Sequence, residues 1–273
     1  MIPTQPTMLF IGGGNMTQAM VSGLLESGYV ASSLFVIDRH AEKREFFAQR
    51  YALKTAAQLT ESCLSADVIV LAVKPQSAKM VCDEMRVLLH SKSPLILSVM
   101  AGVTLTRLAQ WLGESLAMVR AMPNTPALVK AGATGLVANS WVSTQQKQCL
   151  EALLQSLGTV AWVEQEAQLD VITALSGSGP AYFFYLMEAM QKAAVELGLP
   201  VAIADTFARQ TAYGAAKLAL ASEESVATLR QRVTSKGGTT AAAIAVFDQH
   251  QLVQTVDMAM RAAIGRAQQM SAE

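Results

Sequence analysis

The stretch Met8-Leu9-Phe10-Ile11-Gly12-Gly13-Gly14-Asn15-Met16-Thr17 decides the fold of this chain. Four apolar residues predict a buried strand, and the glycines after them predict a tight turn into a helix. In a dinucleotide-binding unit, Gly12 makes this turn and Gly14 lets the backbone approach a pyrophosphate at the helix N-terminus. Thr17 occupies the third small position, where Gly or Ala is usual. We therefore predict a nucleotide site that includes Gly12, Gly14, Asn15 and Met16.

Apolar strands and helices alternate outward from this turn. The strands are predicted at residues 8–11, 34–37, 68–73, 95–99, 117–120, 134–138 and 159–163. The helices are predicted at residues 15–27, 41–49, 77–89 and 144–157. Continuous apolar strands between helices are typical of a parallel sheet that is covered on both faces. Residues 1–164 are therefore predicted to form a Rossmann domain, which is an α/β domain with a doubly wound, mainly parallel sheet.

The strand pattern stops after Glu164, and apolar residues then recur at helical spacing. Helices are predicted at residues 169–175, 180–197, 201–221, 225–233, 239–247 and 252–268. We therefore predict a second, all-α domain over residues 165–273, with a crevice between the two domains.

The helical half is apolar for its size. It carries Phe183, Phe184, Tyr185, Met187, Met190, Met258 and Met260. These residues fit either an ordinary core or a surface that packs against a second chain. We favour a homodimer or larger homo-oligomer, because a helical domain of this length has little interior for so many large apolar groups.

Composition excludes several classes of protein. The chain has 273 residues, and its 21 basic and 21 acidic residues balance, which argues against a nucleic-acid partner. No apolar run reaches membrane-spanning length, and the first residues make a poor signal peptide. Three scattered cysteines, Cys63, Cys82 and Cys149, fit the reducing cytoplasm and form no metal motif.

The second predicted strand ends at Asp38-Arg39. An acid here usually bonds the ribose hydroxyls of NAD, while a nearby Arg can hold the 2′-phosphate of NADP. This chain has both, so the two cues conflict. His40 and Arg44 add positive character, which favours NADP and leaves NAD open, although Arg39 and Arg44 also fit solvated surface charges.

Three further strands end in segments that face the predicted ligand crevice. These segments are Ala72-Val73-Lys74-Pro75, Ala101-Gly102 and Met122-Pro123-Asn124-Thr125-Pro126. Lys74 fits a cofactor contact as well as a charged loop. Asn124, held between two prolines, suits a nicotinamide amide, with a plain turn residue as the alternative.

A second informative stretch is Val233-Thr234-Ser235-Lys236-Gly237-Gly238-Thr239-Thr240. Its glycines allow a close backbone approach, and its threonines stand where a helix begins. A helix N-terminus favours an anion, so this segment is predicted to hold a small carboxylate and one further polar atom.

Together with Ser176-Gly177-Ser178-Gly179-Pro180-Ala181-Tyr182, these motifs resemble pyrroline-5-carboxylate reductase over almost the whole chain. The resemblance implies reduction of 1-pyrroline-5-carboxylate to L-proline by NAD(P)H, the last step of proline biosynthesis. It also implies a Rossmann domain and a helical dimerisation domain. It places the substrate-contacting threonine at Thr240 and the carboxylate-binding loop at Ser235, Gly238 and Thr239, with Glu223 near the substrate. Ser176 and Gly177 line the pocket or, as an alternative, close a capped turn.

The resemblance has departures. Lys236 stands where relatives often have Pro, and Met100 stands where a small residue is common and could crowd the cofactor. A β-hydroxyacid dehydrogenase is disfavoured, because the helix from Pro180 carries no lysine until Lys192. Reduction of another cyclic imine and a non-catalytic NADP-sensing protein are the remaining alternatives.

The reaction itself needs few protein groups. A protonated imine loses its charge as hydride arrives, so a strong protein acid is not mandatory. The three histidines, His40, His90 and His250, lie outside every motif. The hypothesis is that Thr240 hydrogen-bonds the ring nitrogen while the N–H groups at Gly238–Thr240 hold the carboxylate.

Overall fold

The computed structural model describes residues 5–89 and 93–272. Its sheet contains eight strands in the order β3-β2-β1-β4-β5-β6-β7-β8. Their bounds are β1 Met8–Ile11, β2 Leu34–Ile37, β3 Lys54–Ala56, β4 Val68–Leu71, β5 Leu95–Ser98, β6 Met118–Met122, β7 Gly132–Ala138 and β8 Gly158–Trp162. All neighbours run parallel except β6 and β7. The strand order reverses between β1 and β4, which creates the crevice where such sheets bind ligands.

Helices cover both faces of this sheet. Their bounds are α1 Asn15–Glu26, α2 Ala41–Tyr51, α3 Pro75–Leu88, α4 Leu105–Leu112, α5 Thr144–Gln155 and α6 Gln168–Ile172, and a π-helical segment Thr173–Gly177 follows α6. Side chains of β1 alternate between the two layers, because successive residues of a strand point to opposite faces. Met8 and Phe10 join one buried cluster, and Leu9 and Ile11 join the other.

The remaining helices form the second half of the chain. They are α7 Gly179–Glu196, α8 Val201–Ala221, α9 Val226–Arg232, α10 Thr239–Gln249 and α11 Leu252–Ala272. The predicted fold class, a doubly wound mainly parallel domain followed by helices, is confirmed. No helix of the described residues is long and apolar enough to cross a membrane.

The structure contains two elements that the sequence pattern did not predict. Strand β3 is short, lies at the sheet edge and begins with the exposed Lys54, so it lacks an apolar run. Helix α4 starts at a cap in which the Thr104 hydroxyl accepts a hydrogen bond from the Arg107 N–H at 3.2 Å. Helix α3 begins at Pro75 rather than Ser77, because proline fits the first helical position.

The chain divides into two compact units, Met1–Ser178 with Ala263–Glu273, and Gly179–Ala262. The predicted domain boundary after Glu164 falls inside the first unit, because α6 packs on β7. A Cβ built on Gly135 would lie 2.5 Å from Cδ1 of Ile172 and 3.0 Å from Cδ2 of Leu169. Glycine at this position therefore lets α6 approach the sheet closely.

Candidate active site

The Gly-rich turn after β1 is shaped by its contacts with two neighbouring strand ends. The Gly12 N–H donates to the Ile37 carbonyl at 2.8 Å. Gly12 has a φ of +105°, and a Cβ built on it would lie 2.5 Å from the Ala72 carbonyl oxygen. Only glycine therefore fits there. Gly14 instead faces open space, since a Cβ built on it meets nothing within 4 Å.

Helix α1 begins at this open position. Its cap residue is Gly14, and no side chain caps the helix. Asn15 is exposed and Met16 is half-buried. The first N–H groups of a helix have no partner within it, so this cradle fits the pyrophosphate of a dinucleotide.

Thr17 is fully buried, and its hydroxyl donates to the Gly12 carbonyl at 2.5 Å. The departure from a small residue at this position therefore supplies a bond that holds the turn. Sequence reasoning had missed this role, because a motif of small residues does not indicate where a hydroxyl would point.

Asp38, at the end of β2, has a strongly hydrogen-bonded carboxylate and is 8% exposed. It accepts from the Gly13 N–H at 2.8 Å and contacts His40 Nδ1 at 2.8 Å and Lys43 Nζ at 3.3 Å. Burial raises the pKa of Asp38, but the hydrogen bonds from His40, Gly13 and Lys43 outweigh burial and lower the pKa to about 2. Asp38 is therefore ionised at neutral pH.

The contacts of His40 and Lys43 with the Asp38 carboxylate were not predicted from the sequence. His40 was placed outside every motif, yet it contacts a predicted cofactor residue. Lys43 was not singled out at all, because its contact with Asp38 depends on how α2 leaves the strand. His90 lies outside the described residues.

The other predicted cofactor segments lie at the carboxyl ends of β4 and β5. Ala72 and Val73 are half-buried, and Lys74 is exposed at the cap of α3, which Pro75 begins. Ala101 is half-buried, whereas Gly102 is buried with a φ of +72°. Met100, the residue that could crowd the cofactor, is 2% exposed and packs in the core.

Asn124, after β6, ties two segments together. Its Oδ1 accepts from the Ala133 N–H at 2.9 Å, and its Nδ2 donates to the Ser176 carbonyl at 3.0 Å. Gly177 lies close to β6, since a Cβ built on it would be 2.9 Å from Cε of Met122. The structure therefore brings Asn124 together with Ser176 and Gly177. The role of Asn124 toward nicotinamide stays a prediction.

The predicted substrate loop belongs to the second unit. The Gly238 N–H donates to the Ser235 carbonyl at 3.0 Å, and Gly237 has a φ of +73°. This turn has the positive φ that a type II turn requires at its third residue, and Lys236 holds the second position, which proline favours. The turn brings Ser235 and Gly238 together, and a Cβ on Gly238 would collide with the Ser235 hydroxyl.

Helix α10 begins directly after this turn, with Gly238 as its cap and no side chain bonding its first N–H groups. Thr239 is exposed and Thr240 is half-buried. Glu223 is exposed before α9, whereas its neighbour Glu224 pairs with Arg232 at 2.7 Å. The loop therefore offers N–H groups and hydroxyls, a donor set that suits a small carboxylate.

Family models match both halves of the chain. A family model described as pyrroline-5-carboxylate reductase dimerisation matches residues 166–270. A second, described as NADP oxidoreductase coenzyme F420-dependent, matches residues 7–102. The chain is 43% identical to a pyrroline-5-carboxylate reductase of Pseudomonas aeruginosa over 97% of each protein.

Solved structures give the same result. The structure of a pyrroline-5-carboxylate reductase from Coxiella burnetii matches with a TM-score of 0.92 and 45% identity, and the match covers 98% of this chain and 99% of the other. A Plasmodium falciparum pyrroline carboxylate reductase with NADP bound matches with a TM-score of 0.85 and 27% identity, covering 98% and 99%. The chain therefore belongs to the pyrroline-5-carboxylate reductase family.

Proposed function

We propose that this chain reduces 1-pyrroline-5-carboxylate to L-proline by hydride transfer from NAD(P)H, the last step of proline biosynthesis. The observation that carries this proposal is the substrate loop. A turn containing Gly237 and Gly238 leads into the uncapped start of α10, where Thr240 is half-buried. A protein that only sensed NADP would have no use for this loop.

The cofactor supplies the hydride, and the chain's residues bind and orient. The cradle at Gly12 and Gly14 holds the pyrophosphate, with the strand ends at Ala72–Pro75 and Ala101–Gly102 beside the cofactor. The N–H groups at the start of α10 hold the substrate carboxylate. The Thr240 hydroxyl oxygen accepts a hydrogen bond from the N–H of the protonated imine and so orients the imine carbon. We also assign Ser176 and Gly177 to substrate binding.

Replacing Thr240 tests this assignment. Losing one such hydrogen bond costs about 1–3 kcal/mol. We therefore expect Thr240→Ala to lower kcat/KM for 1-pyrroline-5-carboxylate by roughly 10- to 100-fold, while NADPH affinity is kept. Thr240→Ser should restore much of the activity, because it keeps the hydroxyl. Turnover is followed by the loss of NADPH absorbance.

Thr206→Ala is a matched control, since Thr206 lies on α8 and, among the residues that the structure describes, its hydroxyl bonds only the Ala202 carbonyl of its own helix. It should retain wild-type turnover. An unchanged kcat/KM in Thr240→Ala would remove Thr240 from the mechanism. The absence of wild-type turnover with both NADPH and NADH would refute the assigned reaction.

The second unit is also a dimerisation surface. Large apolar side chains of α7 are exposed in the single chain, including Phe183 at 64%, Phe184 at 63% and Tyr185 at 75%. Large apolar side chains exposed side by side on one helix are typical of a surface that binds another protein. A homodimer or larger homo-oligomer would bury it. Light scattering that returned a monomer mass at assay concentration would refute this.

A further inference from the structure

The Asn124 side chain joins two segments that are far apart in the chain. Its oxygen Oδ1 accepts from the Ala133 N–H at 2.9 Å, and its Nδ2 donates to the Ser176 carbonyl at 3.0 Å. Exchanging the oxygen and the nitrogen would set donor against donor and acceptor against acceptor. The two partners therefore fix the orientation of a side chain that is 8% exposed. The amide cannot turn toward a cofactor without breaking both bonds.

The bond to Ala133 continues the pairing of β6 with β7. Met122 faces Gly135 in this antiparallel pair, so the same register would place Asn124 opposite Ala133. Strand β6 ends at Met122, however, and the Asn124 carbonyl accepts from the Ala127 N–H at 3.2 Å in the turn that follows. The Asn124 side chain therefore supplies the acceptor that the backbone of a longer strand would have offered to Ala133.

The Ser176 carbonyl, the other partner, belongs to the π-helical segment Thr173–Gly177. In this segment the Ser178 N–H donates five residues back, to the Thr173 carbonyl, at 2.8 Å. The Ser176 hydroxyl donates to the Ile172 carbonyl at 3.1 Å. π-Helical turns are rare, and they are frequent at functional sites. The bond from Asn124 therefore supports a helical turn of an uncommon form from outside the helix.

Gly177 lies against the same strand end. A Cβ built on Gly177 would be 2.9 Å from Cε of Met122, which stands two residues before Asn124. One hydrogen bond and one close contact therefore hold Ser176 and Gly177 to the end of β6. Ligands bind outside the carboxyl ends of the strands in sheets of this kind.

We propose that Asn124 is a positioning residue for the substrate, which fixes the Ser176 carbonyl and so keeps Ser176 and Gly177 in the form that binds 1-pyrroline-5-carboxylate. This inference rests on the proposed function, which assigns Ser176 and Gly177 to substrate binding. It takes the place of the predicted contact between Asn124 and nicotinamide. Asn124 then acts on binding of the imine and not on binding of the cofactor.

Asn139 makes the same pair of bonds at the opposite end of β6. Its Oδ1 accepts from the Met118 N–H at 3.1 Å, and its Nδ2 donates to the Leu116 carbonyl at 2.8 Å. Neither Met118 nor Leu116 is assigned to the cofactor or the substrate. Asn139→Ala therefore removes the same chemistry from the same strand and is the matched control.

Two substitutions of Asn124 test the proposal. Asn124→Ala removes both bonds, whereas Asn124→Asp keeps an acceptor for Ala133 and sets an oxygen against the Ser176 carbonyl. Both should raise KM for 1-pyrroline-5-carboxylate by about tenfold and keep kcat within about threefold, because a displaced binding segment weakens the ground state and the transition state alike. Asn139→Ala should keep both constants at their wild-type values.

Two further measurements separate this role from a nicotinamide contact. The Kd of NADPH, followed by quenching of tryptophan fluorescence without the imine, should stay within about twofold of wild type in both Asn124 variants. The N–H groups of residues 173–178 should exchange hydrogen faster in these variants than in wild type or Asn139→Ala, because the segment has lost a support.

An unchanged KM in Asn124→Asp would overturn the proposal. So would weaker binding of NADPH with unchanged binding of adenosine 2′,5′-bisphosphate, which lacks nicotinamide, because that result identifies a nicotinamide ligand. If Asn124→Ala did not fold, Asn124→Asp would decide, since it keeps the size of the side chain and the bond to Ala133. The absence of wild-type turnover would refute the proposed reaction, whereas wild-type turnover with an unchanged KM in the variants would refute this inference alone.

Discussion

The two compact units of the chain differ in how much they bury. The first packs apolar clusters against both faces of its sheet. In the second, only Gly179, Ala204 and Ala208 are buried, although α7 and α8 are rich in large apolar residues. Burial of apolar surface is the main force in folding. The first unit can therefore stabilise itself, whereas the second needs apolar burial that a single chain does not provide.

The largest expected effect comes from a charge on the exposed face of the second unit. Phe184→Glu would place a carboxylate in a surface that the proposed assembly buries, and an unpaired buried charge is strongly unfavourable. We expect the Kd of the oligomer to rise by about 100-fold or more, since each 1.4 kcal/mol is tenfold. Light scattering over a range of protein concentrations measures this change.

The control for this variant is Lys192→Ala, which removes an exposed charge from the same helix. It should leave mass and turnover unchanged. All three tryptophans, Trp111, Trp141 and Trp162, belong to the first unit, so their fluorescence reports that unit. An unchanged mass for Phe184→Glu would contradict the inference that the second unit buries its apolar residues against another chain.

The buried ion cluster of the first unit should give the next largest effect. Arg120 is 4% exposed, and its guanidinium lies 2.9 Å from Glu166 and 3.8 Å from Asp170. Arg120→Ala removes a buried cation from two partly buried carboxylates, whose side chains are 25% and 13% exposed, and should cost about 3 kcal/mol of unfolding free energy, the low end of the range for breaking a buried ion pair. Urea unfolding followed by tryptophan fluorescence measures this loss.

An exposed ion pair of the second unit should contribute less stability than the Arg120 cluster of the first unit. Arg209 pairs with Asp205 on α8 at 2.9 Å, and the two side chains are 74% and 37% exposed. Arg209→Ala should change stability by less than about 1 kcal/mol. Equal losses from the two substitutions would mean that burial does not distinguish the ion pairs of the two units.

Two aspartates, one in each unit, have lowered pKa values, but only one of them should change the stability of the protein at acid pH. The pKa of Asp38 falls from 3.8 to about 2 on folding. Asp38 therefore contributes about 2 kcal/mol of stability above pH ~4, and this is lost as the pH falls toward ~2. Asp38→Asn should flatten that part of the pH profile, measured as the unfolding midpoint in urea.

Asp257 of the second unit supplies the control. A hydrogen bond from Arg261 lowers its pKa, but both side chains are exposed. Asp257→Asn should leave the profile unchanged, because solvent screens exposed pairs. A profile for Asp38→Asn that matched wild type would show that the Asp38 bonds add nothing to stability.

Much of the first unit could be predicted from sequence, because its signals are local. The apolar runs of β1 and β2 and the glycines between β1 and α1 fix strand, turn and helix without distant information. The second unit's helices also follow local spacing, and α8 was predicted to the residue. Local spacing does not show which face of each helix packs against a second chain.

The site was predicted less completely than the fold, because its side chains meet across the chain. Gly12, Gly14 and Asp38 follow from the motif, but the contact of Asp38 with Lys43 and the bond of Asn124 to Ser176 depend on tertiary placement. Asp38 was weighed as a ribose ligand because its position suggests one. Only the distances to Gly13, His40 and Lys43 reveal that its oxygens are already occupied.

The smallest expected effect compares two helix caps of the same chemistry, one in each unit. The Ser143 hydroxyl accepts from the Gln146 N–H at 3.2 Å in a capping box at the start of α5. The Ser225 hydroxyl accepts from the Thr228 N–H at 3.1 Å at the start of α9. Ser143→Ala should cost about 1 kcal/mol in the tryptophan-detected transition.

Ser225→Ala should leave that transition in place, because its helix belongs to the unit without tryptophan. Its cost should appear instead in the loss of helical circular dichroism, at a midpoint that rises with protein concentration, since assembly stabilises the folded chains by mass action. An equal shift of the tryptophan transition by both variants would mean that the units unfold together. The second unit would then be stabilised by unfolding cooperatively with the first, although it buries few residues of its own.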